Sequence, residues 1–319
     1  MQPMAVGAER FSSGDYELVI DPPSAPRGRV AKLQDVRILF YGNLAKPSMY
    51  HFADIERLLT NPEFDLSKPT ALYIHGYVEV VNDDSVQTMA KAYQRHGGYN
   101  FLLLDWSNLG FGNYISVSLD VKQIGKETGA AVAKLLKGGL SLERLHVIGH
   151  SLGAHIGGFC CRQLKASGFE VPRLTALDPA YPGFYPALLS KPFTKDDARF
   201  VDVIHTDGGA FGTPLATGHA DFWPNAGHAK QPGCPPVSLL LTLEDLCSHW
   251  RSWRFWAEAL EGGRFLARKC DGYDQFLRGQ CHESPLVEMG HNASSELRGN
   301  FYLRTATKSP FALGERGAD

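Results

Sequence analysis

The sequence predicts an α/β protein with a mostly parallel central sheet and helices on both faces. Three observations predict it. Short continuous apolar runs recur at residues 71–76, 99–106, 144–148, 174–177 and 200–204, as expected of strands buried on both sides. Segments with apolar residues at helical spacing lie between them, at 84–96, 119–136 and 154–164. The third observation is a pentapeptide, Gly149-His150-Ser151-Leu152-Gly153, at one of the strand-to-helix junctions.

Each element has its own signal. The chain enters the sheet with Arg37-Ile38-Leu39-Phe40-Tyr41. The run at 71–76 ends in a glycine loop, His75-Gly76-Tyr77. The helix at 84–96 has Asp83 or Asp84 as its cap. A buried strand follows at 99–106, then a helix whose Val121, Ile124, Ala130, Ala131 and Leu135 recur at helical period. After the pentapeptide and its helix come strands at 174–177 and 200–204. Residues 207–233 are rich in Gly, Pro and Ala and read as functional loop. A Trp-rich helix at 248–260, a late strand at 300–305 and a frayed tail from 315 complete the chain. No linker divides it, so 1–319 is read as one folding unit with its core at about 35–312.

Composition narrows the function. A chain of 319 residues with 44% hydrophobic and 21% charged residues has the balance of a globular protein with a large core. A net charge of -2 gives no electrostatic case for nucleic acid. No apolar run reaches the length of a bilayer span. Residues 1–7 lack the basic region and apolar core of a signal peptide. Cysteine usage still favours a secretory route with the signal removed. Cys234 and Cys247 bracket one short segment, and Cys270 and Cys281 another; both spacings suit local disulfides, though spacing alone leaves the pairing open. An intracellular form would leave those four thiols free. Cys160 and Cys161 are adjacent and read as buried free thiols. Asn292-Ala293-Ser294 is a glycosylation sequon that agrees with secretion.

The pentapeptide is G-x-S-x-G between an apolar strand and a helix, and in that setting it reads as a nucleophile elbow. A serine hydroxyl is a poor nucleophile alone. It needs a base within hydrogen-bond reach, and the base needs an acid to hold its tautomer. Six histidines follow Ser151: His205, His219, His228, His249, His282 and His291. Acids just beyond strand ends include Asp178, Asp202 and Asp207. Residue-level reading leaves that choice open. For an oxyanion hole, the backbone N–H of Leu152 is one donor, and Tyr77 N–H, after the early strand, is the second.

Six segments resemble the animal pancreatic-type lipase family, which includes lipoprotein, hepatic, endothelial and pancreatic lipases and the secreted phospholipases A1. They are Ile74-His75-Gly76-Tyr77, Asp105-Trp106, the stretch from His146 through the pentapeptide to His155, Leu177-Asp178-Pro179-Ala180, the stretch from Phe200 to Asp207, and Cys247-Ser248-His249. The resemblance implies an α/β-hydrolase fold, with Ser151 as nucleophile, Asp178 as acid and His249 as base. His205 would then be structural.

Departures from the family pattern carry expectations too. The resemblance runs only over the family's catalytic domain, so the C-terminal β-sandwich of the larger lipases, and colipase docking through it, are not expected. The calcium loop of the pancreatic type is poorly kept. Asp196 and Asp197 remain, but Leu189, Pro192 and Thr194 stand where other ligands would lie, so no structural calcium and no metal is expected. Cys234 and Cys247 match the family's lid disulfide and enclose a short lid with Val237, Leu239, Leu240, Leu241, Leu243 and Leu246. The lid reads as an amphipathic flap with Glu244 and Asp245 facing water; the alternative is a turn packed on the core. The second loop, about 208–220, is also short, and Phe211, Trp223 and Trp250 are candidates for an apolar rim.

In this family short loops accompany phospholipase A1 or galactolipid activity, and long ones triacylglycerol hydrolysis. The resemblance therefore implies a secreted serine esterase without cofactor, acting on lipid at a membrane or micelle interface, most favourably at the sn-1 ester of phospholipids. Triacylglycerol lipase and galactolipase are the alternatives within the class. A non-catalytic, yolk-type lipid-binding protein is the alternative outside it, although such relatives typically lack the serine.

Overall fold

The computed structural model describes residues 33–235 and 243–319, with the backbone of two short paired strands, Ser12–Ser13 and Tyr16–Glu17. The apolar runs become strands because they are buried on both faces. In chain order these are β1 (Arg37–Phe40), β2 (Ser48–His51), β3 (Thr70–Ile74), β4 (Asn100–Asp105), β5 (Leu145–His150), β6 (Arg173–Leu177), β7 (Phe200–Ile204), β8 (Ala220–Pro224), β9 (Leu266–Lys269), β10 (Leu286–Glu288) and β11 (Gly299–Leu303). They join in one sheet of order β10-β9-β11-β8-β7-β6-β5-β3-β4-β1-β2. From β11 to β4 every pairing is parallel; antiparallel strands close both edges. This is the α/β-hydrolase fold.

The helices are α1 (Asp84–His96), α2 (Tyr114–Lys137), α3 (Leu152–Ala166), α4 (Cys247–Leu260) and a short α5 (Tyr273–Leu277). Alternation along the strands divides the core between them. Leu72, Ile74, Val147, Leu174 and Val201 pack with α2 and α3 on one face. Ala71, Tyr73, Ile148, Leu177, Phe200 and Phe222 pack with α1 and α4 on the other. The C-terminal ends of the parallel strands lie together at one edge, where ligand sites of open α/β sheets form.

Several expectations need correction. α2 begins at Tyr114, because Asn113 Oδ1 caps it by accepting the N–H groups of Ile115 and Ser116. β8 lies inside the stretch read as loop, and β2, β9 and β10 carried no expectation. The tail from Glu315 is held: Arg304 N–H donates to Gly317 O at 2.6 Å, Arg268 Nε donates to Ala318 O at 3.0 Å, and Ala318 is buried.

Candidate active site

Ser151 joins β5 to α3 on a left-handed turn, φ 55° and ψ -121°. A non-glycine residue holds such a φ only when its surroundings fix it. Here they do. Its N–H donates to Leu177 O at 3.0 Å, and Ala180 N–H donates to its carbonyl at 3.3 Å. A Cβ at Gly153 would lie 2.2 Å from Ile74 O, so the elbow reaches the end of β3 only because residue 153 has no side chain. Leu152 opens α3, where backbone N–H groups lack helical partners. Tyr77 follows β3, and its hydroxyl donates to Gly112 O.

Asp178 follows β6, also at positive φ, 43°. Its Oδ1 accepts the N–H groups of Thr206 at 2.7 Å and Asp207 at 3.0 Å. Its Oδ2 lies 2.5 Å from His249 Nδ1. A carboxylate only accepts, so Nδ1 carries a proton, and in the neutral ring Nε2 is then the nitrogen with the lone pair. His249 sits in the first turn of α4, and its carbonyl accepts the hydroxyls of Ser252 at 2.8 Å and Thr206 at 3.4 Å. Both side chains are buried. Gly212, from the second loop, closes over the acid: a Cβ there would meet both Asp178 oxygens at 2.4 Å.

Asp207 is a third ionisable group at this point. Burial, followed by the charge of Asp178, pushes its carboxyl up to about 7. Its Oδ2 accepts Phe211 N–H at 3.1 Å, while Oδ1 is buried without a partner. Asp178, Asp207 and His249 are the one group, among the described residues, with ligand atoms spaced for a metal, all within 4.8 Å. The Asp178 oxygens, however, are already engaged by three N–H donors.

The other candidates are committed elsewhere. Asp202 takes both arms of Arg173, at 2.9 and 2.7 Å, and the Thr175 hydroxyl. His205 is buried between Asp221 and Thr213 O and stacks on Trp223 at 3.7 Å. That stacking makes Trp223 core, not rim. Trp250 packs at the margin of the core, whereas the Phe211 ring lies 5.9 Å from His249. His219 accepts Val201 N–H, His228 meets Gly208 O, His291 meets Tyr99 and His282 lies near Asp319.

Cys234–Cys247 and Cys270–Cys281 are disulfide-bonded, and Cys160 and Cys161 are buried free thiols. Asn292 is exposed on a turn. Of the lid residues, Val237, Leu239, Leu240 and Leu241 lie outside the described residues. Leu243 to Leu246 form a 3-10 turn that runs into α4, with Leu246 half-buried. Asp245 does not face water as expected. It is 4% exposed and close enough to Asp207 to raise its carboxyl. At the segment that resembles the family's calcium loop, Asp197 is engaged by Arg162, with two N–H···O bonds of 2.7 Å, and Arg162 Nη2 also reaches Pro192 O at 2.5 Å. A guanidinium thus takes the oxygens a cation would need, and the residues do not fit a calcium ion. Sequence reading missed Gly212 and Glu79; the only signal for either was its place in a loop beside a motif.

The chain resembles several named enzymes. It is 30% identical to pancreatic triacylglycerol lipase of Sus scrofa over 306 residues, covering 87% of this chain and 67% of that protein. It is 32% identical to pancreatic lipase-related protein 2 of Homo sapiens over 314 residues, covering 87% and 64%. It is 34% identical to phospholipase A1 member A of Rattus norvegicus over 272 residues, covering 80% and 58%. The chain therefore spans about two thirds or less of these relatives' length. The lipase family model matches residues 18–311, and the chain belongs to the lipase family.

Proposed function

We propose that this chain hydrolyses acyl esters of lipids by covalent catalysis at Ser151. One observation carries the reading: the Asp178-bound His249 ring lies 4.7 Å from the ring of His150, in the elbow whose serine is held at positive φ. In the first step Ser151 Oγ bonds to the ester carbonyl carbon and its proton passes to His249 Nε2. Asp178 holds the imidazole and steadies its charged form. The Leu152 and Tyr77 amides receive the oxyanion. The tetrahedral adduct then expels the alcohol, which leaves with the proton from His249. Water, deprotonated by His249, releases the acid and restores Ser151.

Within this class we favour the sn-1 ester of phospholipids. The short lid, residues 235–246, and the short second loop support it, because they leave room for a polar headgroup. The lid disulfide and the exposed sequon at Asn292 support a secretory route. Relatives named triacylglycerol lipase and phospholipase A1 stand at similar identity, so the test must separate the two. Mixed-chain phosphatidylcholine and emulsified triolein are hydrolysed side by side by wild type and Ser151→Ala. Fatty acid from sn-1, little from triolein and none with Ser151→Ala supports the proposal. Strong triolein hydrolysis replaces it with a neutral lipase, and an inert wild type replaces it with a lipid-binding protein.

A further inference from the structure

The loop after β3 is strained and held by a buried charge. Val78 has φ 55°, an outlier for a β-branched residue and a conformation that costs of order 1–3 kcal/mol. Strain of that size persists only where the surroundings over-determine the backbone. Val78 N–H donates to Gly110 O at 3.0 Å, which holds one side of the turn. The other side is held by Glu79. Its Oε2 accepts Gly76 N–H at 3.0 Å and the Ser85 hydroxyl, from α1, at 2.9 Å. Its Oε1 lies 2.7 Å from Nδ1 of His150, the residue before the serine. That contact is close without the alignment of a hydrogen bond. The His150 ring in turn lies 4.7 Å from the His249 ring. Gly76 itself approaches the elbow so closely that a Cβ there would meet Ser151 Cβ at 3.1 Å.

We propose that Glu79 is a positioning residue for the oxyanion hole, its carboxylate clamping the turn at residues 76–78 against the nucleophile elbow. One carboxylate bridges the two segments that carry the Tyr77 and Leu152 amides, so it sets the spacing between them. It also fixes His150 beside the catalytic imidazole. Glu79 is suited to this by its charge as well as its shape. Burial pushes the carboxyl up, but the attraction of His150, the contact with it, nearby His75 and the Gly76 N–H outweigh that and hold it at about 2. The clamp is therefore ionised throughout the neutral range. Burial lowers the His75 imidazole, whose Nε2 accepts Trp106 N–H.

The inference rests on the proposal that Ser151 is the nucleophile, but not on which lipid is the substrate. Glu79→Gln keeps the side-chain shape and removes the charge. Active sites are counted by fluorophosphonate labelling carried to completion, and kcat and KM are measured on soluble p-nitrophenyl butyrate per labelled site. The clamp predicts a fall in kcat of about 10- to 100-fold, with KM within about twofold and a matching fall in labelling rate. A merely structural role lowers the number of labelled sites and leaves kcat per site alone. Wild-type kcat per labelled site in Glu79→Gln overturns the proposal. If that variant gives no folded protein, Glu79→Asp is too short to bridge both segments and is read in the same way. A wild type that takes no label overturns the esterase reading itself, and the clamp with it.

Discussion

Replacing Gly212 by alanine puts a methyl group into the carboxylate of Asp178. The built Cβ lies 2.4 Å from both oxygens, whereas ordinary contact begins near 3.4 Å, so acid and loop must part by about 1 Å. Residue 212 does not need a left-handed backbone, so the effect is steric rather than conformational. Asp178 cannot retreat freely, because Oδ1 is held by the Thr206 and Asp207 amides. The bond most easily lost is the 2.5 Å contact to His249. A misplacement of 1 Å in a catalytic group costs about 100-fold. Gly212→Ala is therefore expected to lower kcat on a soluble ester by about that factor, with KM little changed. Gly272→Ala, with nothing within 4 Å of the new methyl, is the control and should match wild type. A Gly212→Ala enzyme with kcat within twofold of wild type would refute the account of the loop closing on the acid.

Asp178→Asn presents a donor to His249 Nδ1 and pins the wrong tautomer, so kcat should fall by roughly 10³–10⁴-fold while fluorescence and melting stay close to wild type. Arg162→Met strands the buried Asp197 carboxylate and should cost about 3–5 kcal/mol in urea unfolding, most of it recovered by adding Asp197→Leu. Asp207 gives a pH signature. Its folded carboxyl titrates at about 7 against 3.8 when unfolded, so between those values only the folded state holds the proton. Its contribution is full below about 3.8 and is lost as pH rises to about 7. Asp207→Asn should flatten that fall in urea midpoints between pH 4.5 and 7.5, and an unchanged slope counts against it.

Much of the sheet was legible because its central strands are continuous apolar runs. β3 is buried at every position and β5 likewise, so neither depends on alternation to be seen. β8 was hidden because Ala220–Pro224 is short and follows a glycine-rich loop. The first turn of α2 was hidden because Ile115 and Leu119 are exposed, which blurs the apolar stripe. At the site, the elbow is local and could be read directly. The acid could not be chosen from residue types, since Asp178, Asp202 and Asp207 all read as lying just beyond strand ends, whereas Asp202 in fact sits in the middle of β7. Tertiary structure separates them: Asp202 goes to Arg173, and Asp207 stays beside the pair with its carboxyl raised. The Glu79 clamp was invisible for the same reason, because its partners come from α1 and the elbow.

Covalent catalysis at Ser151, as proposed, passes through an acyl-enzyme formed from a lipid ester. Rapid acid quench of wild type with phosphatidylcholine labelled in the sn-1 acyl chain, followed by peptide mapping, tests it most directly. Label is expected on the peptide that contains Ser151, and none with Ser151→Ala. Label on another residue, or release of labelled fatty acid by Ser151→Ala at the wild-type rate, would contradict it.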